Sequence, residues 1–241
     1  MLKHALVRVS PALALSHEGD AHPEAERTLA LVTHTSCLDA EQDCRMFCRP
    51  IHTGDGEVAV RPIGPADAQL MQAFVTGLSG TSRYFRFFQA LKSLSPGMLD
   101  RLTRVDQVNH VALAGVARLG DSPSVVAEAR YAVGPDGTTA EIALAVADQW
   151  QRRGIATELL TMLERIAVTA GITRLTGECM VVNEPFVSLV RALGYHVYPD
   201  AGDGRLLQIE KHIGEGTRRR GATFESFRGS GATVIDSAMG W

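Results

Sequence analysis

Apolar residues recur with two different periods along the middle of the chain, and these periods predict alternating strands and helices. Alternation of apolar and polar residues indicates strands, whereas spacings of three or four residues indicate helices. The first predicted strand covers residues 58–63, and Pro65 then opens a helix that extends to about Leu78. Ser95 and Pro96 start a second helix. Three further strands are predicted at residues 110–119, 125–133 and 140–147.

The clearest pattern in the chain is an amphipathic helix from about residue 153 to residue 170, which Gly171 ends. Its apolar stripe consists of Ile155, Leu159, Met162, Leu163, Ile166 and Ala170. After this helix the pattern predicts a strand at 173–181, a helix at 184–193, and short strands at 195–198 and 205–211. The order β-α-α-β-β-β-α-β-α-β-β predicts an α/β fold around a mixed sheet.

The periodic patterns are confined to residues 57–213, which we interpret as one domain. Residues 1–56 have no sustained period and end in the turn signal Gly54-Asp55-Gly56, so they are interpreted as an N-terminal extension. Residues 214–241 are rich in glycine and carry three consecutive arginines, a composition typical of a flexible tail.

Composition and charge exclude several classes of partner. The 241 residues carry a net charge of -3, so no general attraction to nucleic acid or to an acidic membrane is expected. No apolar run reaches the ~20 residues of a membrane span, and Arg8 and Pro11 interrupt the only stretch that resembles a signal peptide. Four cysteines are too few for a disulfide framework, which favours a reducing, cytoplasmic location.

No metal site is expected in the N-terminal extension either. Its cysteines and histidines do not have the regular spacing of zinc ligands. The residues considered are the three cysteines and the two histidines nearest to them: His34, Cys37, Cys44, Cys48 and His52.

The residues between the 140–147 strand and the long helix favour anion binding. They read Gln151-Arg152-Arg153-Gly154-Ile155-Ala156, and the helix begins inside this hexapeptide. The first N–H groups of a helix have no partner within the helix, and the helix dipole adds partial positive charge there. Gly154 leaves room for a close approach, so a pyrophosphate is a suitable ligand. An ordinary strand–turn–helix with a solvated basic turn explains the same residues equally well.

Two motifs in this region resemble signatures of the GNAT N-acetyltransferase superfamily. The segment Gln151-x-x-Gly154-x-Ala156 is similar to the family's Gln/Arg-x-x-Gly-x-Gly/Ala signature, which lies between its fourth strand and third helix. Further along, residues 183–195 resemble the second signature, Asn-x-x-Ala-x-x-Leu-Tyr-x-x-x-Gly-Phe. The resemblance covers about residues 57–213. It implies the GNAT fold, a central mixed, mostly antiparallel sheet that splays between the fourth and fifth strands and is flanked by helices.

The resemblance also implies acetyl-CoA as the co-substrate, with no metal. It places the pantetheine arm along Leu144, Ala145 and Val146, where a backbone N–H near Val146 would polarise the thioester carbonyl. Asn183 would bond the pantetheine or order the adjacent loop. The pyrophosphate would lie on Gln151, Arg152, Arg153, Gly154, Ile155, Ala156 and Thr157.

Residues 79–88 and 140–143 further resemble the acetyltransferase domain of bacterial protein lysine acetyltransferases. That likeness makes Glu141 the candidate general base, which would take a proton from the acceptor amine directly or through water. The alternative interpretation of Glu141 is a solvated carboxylate at a strand end. One departure concerns the tyrosine that protonates the leaving thiolate in many GNAT enzymes, because Val190 stands at its position.

A protein lysine is therefore the expected acceptor, and its amine would attack the thioester directly in a ternary complex. A small-amine N-acetyltransferase and a non-catalytic acetyl-CoA-sensing module remain as alternatives, and the resemblance is compatible with a homodimer. Residues 79–88 are expected to form an aromatic and basic connection. Within it, Arg83 and Arg86 would recognise an acidic protein surface, or would lie solvated beside an aromatic core cluster.

Overall fold

The computed structural model describes residues 48–54, 56–120 and 122–214, which contain eight strands and five α-helices. The strands are β1 (Ile51–Thr53), β2 (Gly56–Pro62), β3 (His110–Leu119), β4 (Ser122–Val133), β5 (Thr139–Val146), β6 (Arg174–Met180), β7 (His196–Pro199) and β8 (Leu206–His212). The helices are α1 (Ala68–Gly77), α2 (Gly80–Phe87), α3 (Pro96–Thr103), α4 (Ile155–Thr169) and α5 (Glu184–Ala192). One short 3-10 turn, Pro65–Asp67, precedes α1. A second, Asp148–Trp150, precedes the loop that leads into α4.

The strands form one sheet in the order β1-β2-β3-β4-β5-β6-β8-β7. Neighbouring strands are antiparallel except β5 and β6, which run parallel and pair only from Thr139 opposite Arg174 to Glu141 opposite Thr176. Beyond Glu141, β5 continues to Val146 without a β6 partner, so the sheet opens there. Because β1 was not predicted, the predicted fourth and fifth strands are β5 and β6. The predicted mixed sheet that splays between them is confirmed.

Side-chain alternation on the strands separates two apolar clusters, one on each face of the sheet. On one face, α4 and α5 cover a cluster in which Leu159 packs with Ile142 of β5. On the other face, α1, α2 and α3 cover a cluster that contains Phe74, Phe85 and Ala145. Adjacent residues of β5 therefore serve opposite faces of the sheet.

The aromatic and basic connection predicted at residues 79–88 forms a helix, α2, which was not predicted. Ser79 is its N-cap, and the Ser79 hydroxyl accepts a hydrogen bond from the Ser82 N–H at 3.1 Å. Phe88 ends the helix in a left-handed conformation with φ of 52°. A helix of eight residues spans only about two turns, too few for its period to stand out from the aromatic residues around it.

Most of the predicted N-terminal extension and C-terminal tail lies outside the described residues, as do His34, Cys37 and Cys44. Within the extension, β1 pairs with β2 as an antiparallel hairpin. In the described part of the chain, no group of three or more His, Cys, Asp or Glu residues could hold a metal ion. No helix in that part is long and apolar enough to cross a membrane.

Candidate functional site

A cleft of about 180 Å³ opens at the end of β5, where the chain turns into α4. It is lined by seven of the residues predicted to bind acetyl-CoA, namely Val146, Gln151, Arg152, Gly154, Ile155, Ala156 and Thr157. Trp150, Pro185 and Leu189 complete the lining and were not predicted. Both α5 residues lie inside the second motif, so the spacing of that motif could have indicated them.

The loop before α4 has the backbone geometry of an anion-binding turn. Arg152 and Gly154 both adopt left-handed conformations, with φ of 61° and 81°. Gly154 is the N-cap of α4 and has no side chain to cap it, while its carbonyl accepts the N–H of Glu158 at 3.1 Å. The N–H groups of residues 155–157 precede this first helical hydrogen bond, so they have no acceptor within the helix. They carry the positive end of the helix dipole toward the cleft.

Two side-chain contacts hold this loop against the strand. Gln151 Nε2 donates to the Val146 carbonyl at 3.0 Å, which ties the end of β5 to the loop. The Arg153 guanidinium lies over the Trp150 ring, 4.9 Å from its centroid. Arg153 therefore supports Trp150 and does not itself line the cleft.

Three other predicted residues lie beside the cleft without lining it. Leu144 and Ala145 are completely buried in opposite apolar clusters, so only their backbone groups are available to a ligand. Asn183 is also fully buried, and its carbonyl accepts the N–H groups of Phe186 and Val187 at 3.1 and 3.0 Å. These backbone bonds place Asn183 at the start of α5, and its predicted contact with the pantetheine or with the adjacent loop stays a prediction.

Glu141 lies where the sheet opens, at the last residue of β5 that pairs with β6. Its half-buried side chain shares a face of β5 with Ala143 and Ala145, the face covered by α1, α2 and α3. A strand rises ~3.3 Å per residue, so Glu141 lies roughly 16 Å along β5 from Val146. A proton from the end of β5 would therefore reach Glu141 through water.

A second cavity of about 220 Å³ lies on the same face as Glu141, between the end of α2 and the turn joining β7 to β8. One wall consists of Tyr84, Phe88 and Met180, the last residue of β6. The other wall carries an ion pair in which Arg205 Nη2 donates to Asp203 Oδ2 at 2.7 Å. Hydrogen bonds from Arg205 lower the pKa of Asp203 to about 2. The two cavities thus lie on opposite faces of the sheet, beside the same opening.

A buried charge cluster lies under α2, on the face that holds the second cavity. Arg86 Nε donates to Glu128 Oε1 at 2.7 Å, and Arg130 Nη2 donates to Glu128 Oε2 at 2.5 Å. All three side chains are at most 2% exposed. Burial opposes ionisation of Glu128, but the two guanidinium groups outweigh it and lower the pKa of Glu128 to about 2.

Both expectations for the arginines of residues 79–88 are wrong for Arg86. Arg86 is neither solvated nor available to an acidic protein surface, because its ion pair with Glu128 fixes α2 to β4. The Arg83 guanidinium donates to backbone carbonyls, including that of Leu91 at 3.0 Å, and so joins neighbouring segments. Long-range partners of this kind leave no local pattern in a sequence.

His110, at the start of β3, lies beside the charge cluster and is expected to make stability depend on pH. Arg130 Nη1 lies 3.2 Å from His110 Nε2, a contact that suits only the neutral ring. Burial first, and then the charge of Arg130, lower the pKa of His110 to about 4. The pKa of histidine in an unfolded chain is ~6.5, so between pH 6.5 and pH 4 the unfolded state binds more protons. Stability contributed by neutral His110 is therefore lost as the pH falls through this range.

We expect His110→Gln to reduce the difference in unfolding free energy between pH 7 and pH 4 by about 2 to 3 kcal/mol. Urea denaturation of the wild type and the variant at both pH values measures this difference. His196→Gln changes an exposed histidine at the start of β7 and serves as the control. The same pH dependence in His110→Gln and the wild type would contradict the prediction.

Comparison with known proteins places this site in a family. Residues 83–195 match the Acetyltransferase (GNAT) family. An acetyltransferase of Pseudomonas aeruginosa is 27% identical over 146 residues, which are 61% of this chain and 78% of that protein. The acetyltransferase Pat of Mycolicibacterium smegmatis is 29% identical over 147 residues, which are 60% of this chain. The match spans 43% of the length of Pat.

Solved structures agree with these matches. The GNAT domain of S. lividans PAT has 29% sequence identity and a TM-score of 0.63, and the match covers 70% of this chain and 98% of that domain. A GNAT-family acetyltransferase from Streptococcus pneumoniae shares the fold, with 16% identity, a TM-score of 0.51, and coverage of 65% and 99%. The predicted fold and enzyme class, an acyl-CoA-dependent N-acetyltransferase, are confirmed at the level of the family. The chain therefore contains an acetyltransferase domain of the GNAT family.

Proposed function

We propose that the chain transfers an acetyl group from acetyl-CoA to the side-chain amine of a protein lysine. The observation that carries this proposal is the opening between β5 and β6, with a cavity on each face of the sheet beside it. A donor on one face and an acceptor on the other can meet at one carbonyl carbon. That arrangement suits direct attack in a ternary complex without a covalent enzyme intermediate.

The cleft at the start of α4 is the site for acetyl-CoA. The backbone N–H groups of residues 155–157 and the Arg152 side chain hold the pyrophosphate. The pantetheine arm follows the unpaired part of β5 from Leu144 to Val146, and the backbone bonds it as a neighbouring strand would. A backbone N–H near Val146 then binds the thioester oxygen as it gains negative charge.

The second cavity is the site for the acceptor. Tyr84 and Phe88 offer aromatic surface to the aliphatic stem of a lysine and to its ammonium group. Asp203 on the other wall is already paired with Arg205. The similarity to the Pat and PAT acetyltransferases supports a protein as the acceptor.

Glu141 lowers the cost of deprotonating the acceptor. A lysine amine has a pKa of ~10.4, so at pH 7 roughly one in a few thousand is neutral, a cost of about 4 to 5 kcal/mol. A water chain between the amine and Glu141 carries the proton away as the C–N bond forms. The C–S bond then breaks, and the sulfur leaves with its electron pair as the CoA thiolate.

The leaving thiolate departs without a tyrosine acid. Val190 is fully buried in α5 and has no proton to give. Tyr195 is only 4% exposed, and burial and then Glu164 raise its pKa further above the ordinary value of a tyrosine. A thiol has a pKa of ~8.5, so its anion is a stable enough leaving group near neutral pH.

The test is the release of CoA thiol from acetyl-CoA with three acceptor panels: lysine peptides, bacterial acyl-CoA synthetases and small amines such as polyamines. Turnover with lysine peptides or whole proteins supports the proposal. Turnover confined to small amines would replace the acceptor class. Tight binding of acetyl-CoA without turnover on any panel would favour a sensing module, and no binding of acetyl-CoA would overturn the proposal.

Gly154→Ala is expected to raise the Kd for acetyl-CoA at least about tenfold, because the new methyl group occupies open space in the cleft. Gly171→Ala is a matched control at the other end of α4. Both glycines have φ of 81°, and an added Cβ meets no atom within 4 Å at either position. Both variants should therefore lose a similar stability of about 1 to 2 kcal/mol from backbone strain. Equal Kd values for the two variants, measured by calorimetry, would contradict the assignment of the cleft.

A further inference from the structure

One carboxylate joins the first turn of α2 to the segment that leads into the acetyl-CoA loop. Asp148 lies in the 3-10 turn after β5. Its Oδ2 accepts the Ser79 N–H at 2.9 Å, and its Oδ1 accepts the hydroxyls of Ser79 and Ser82 at 2.9 and 2.8 Å. The bonded residues are 66 to 69 positions apart, so these bonds connect two separate parts of the chain.

The three bonds are not needed to form either local element. The 3-10 turn begins after Ala147, so Asp148 is not its N-cap. Helix α2 already has a cap, because the Ser79 hydroxyl accepts the Ser82 N–H. Asp148 therefore helps to position α2 relative to the loop and is not needed for α2 to form.

This placement links the two cavities of the proposed site. On one side, Asp148 is followed by Trp150 and Gln151, which line the acetyl-CoA cleft. On the other side, α2 carries Tyr84 and is followed by Phe88, and both line the second cavity. Asp148 thus ties this wall of the acceptor cavity to the loop, while the Arg86–Glu128 ion pair holds α2 on β4.

We propose that Asp148 is a positioning residue that couples acetyl-CoA binding to acceptor binding. Acetyl-CoA holds the loop, the loop holds Asp148, and Asp148 holds α2 in the position that shapes the acceptor cavity. The proposal rests on the proposed function, because it takes the second cavity as the acceptor site. By thermodynamic reciprocity, bound acceptor raises the affinity for acetyl-CoA by the same factor as acetyl-CoA raises the affinity for the acceptor.

Kinetics of aspartate and serine variants test the coupling in the full chain. Asp148→Asn keeps the size of the side chain but sets an N–H group against the donors of α2. We expect it to lower kcat/KM for the acceptor by about 30-fold, as loss of bonds to a charged group implies, while the Kd for acetyl-CoA alone changes less than about threefold. Ser82→Ala removes one of the three bonds and should give a smaller loss in the same direction.

A matched pair of cap variants separates coupling from helix stability. Ser79→Ala and Ser95→Ala each remove the serine N-cap of an eight-residue helix, and only Ser79 also bonds Asp148. Ser79→Ala should lower kcat/KM for the acceptor, Ser79→Thr should retain it, and Ser95→Ala should match the wild type. If Asp148→Asn and Ser79→Ala behave like Ser95→Ala, the coupling proposal is overturned.

A binding experiment measures the coupling factor without turnover. The chain has two tryptophans, so Trp241→Phe leaves Trp150, in the cleft, as the single fluorescent indole. Titration with CoA, which would hold the same loop but has no acetyl group to transfer, is done with and without a lysine peptide. It should give two different Kd values in this background and one Kd after Asp148→Asn is added. Absence of wild-type turnover on every amine would refute the proposed function. Wild-type turnover with an unchanged coupling factor in Asp148→Asn would refute the coupling alone.

Discussion

Glu141→Gln is expected to lower kcat for acetyl transfer by roughly 100-fold or more, with the affinity for acetyl-CoA retained. Glutamine has nearly the same size as glutamate but does not take up the proton that the amine releases. CoA-thiol release at saturating acceptor, together with the Kd for acetyl-CoA, measures the loss of turnover and the retained affinity.

Glu210→Gln is the control for this experiment. Glu210 is also a partly buried strand glutamate, but it lies on β8 and pairs with Arg174 and His212. It should keep wild-type turnover. If Glu141→Gln instead keeps wild-type turnover, Glu141 is the solvated strand-end carboxylate of the alternative interpretation.

Glu128→Gln is expected to lower the free energy of unfolding by about 3 to 5 kcal/mol. The change leaves Arg86 and Arg130 buried without a counter-charge, and desolvated charges of this kind are costly. Domains are stable by only about 5 to 15 kcal/mol, so the loss is a large fraction of the total. Urea denaturation at pH 7 measures it, and Glu210→Gln, with its partly exposed ion pairs, should lose less than about 1 kcal/mol.

A variant that removes all three buried charges tests whether the unpaired charges explain the loss of stability expected for Glu128→Gln. Arg86→Met, Glu128→Leu and Arg130→Met together remove every charge and leave apolar side chains of similar volume. The triple variant should be more stable than Glu128→Gln, because no unpaired charge remains in the interior. A triple variant less stable than the single one would show that the cluster contributes more than charge compensation.

The elements that position the cleft could be predicted because each carries its own local pattern. The long apolar stripe predicts a helix from about 153 to 170, and α4 covers Ile155–Thr169. The apolar run at 140–147 corresponds to β5, and the motif between them corresponds to the loop of the cleft. Core packing follows from such periods, so α4 and β5 can be predicted without knowing which distant residues they contact.

The contacts that join separate elements could not be predicted in the same way. Arg86 and Glu128 are 42 residues apart, and Asp148 and Ser79 are 69 apart, so neither pair leaves a period in the sequence. One signal was available, because Glu128 and Arg130 interrupt an otherwise apolar strand, and charges buried in a sheet need partners. The roles of Glu141 and of the acetyl-CoA residues stay predictions until the experiments above are done.

The short parallel pairing of β5 with β6 divides the sheet into two antiparallel halves. Strands β1 to β5 form one half, strands β6 to β8 form the other, and three residues of each strand join them. With the pantetheine arm along β5, as proposed above, the co-substrate would extend this narrow junction as a removable piece of strand. Each catalytic cycle would then stiffen the junction when acetyl-CoA arrives and loosen it when CoA departs. Under that proposal the acyl donor is at the same time a reactant and a structural member of the sheet.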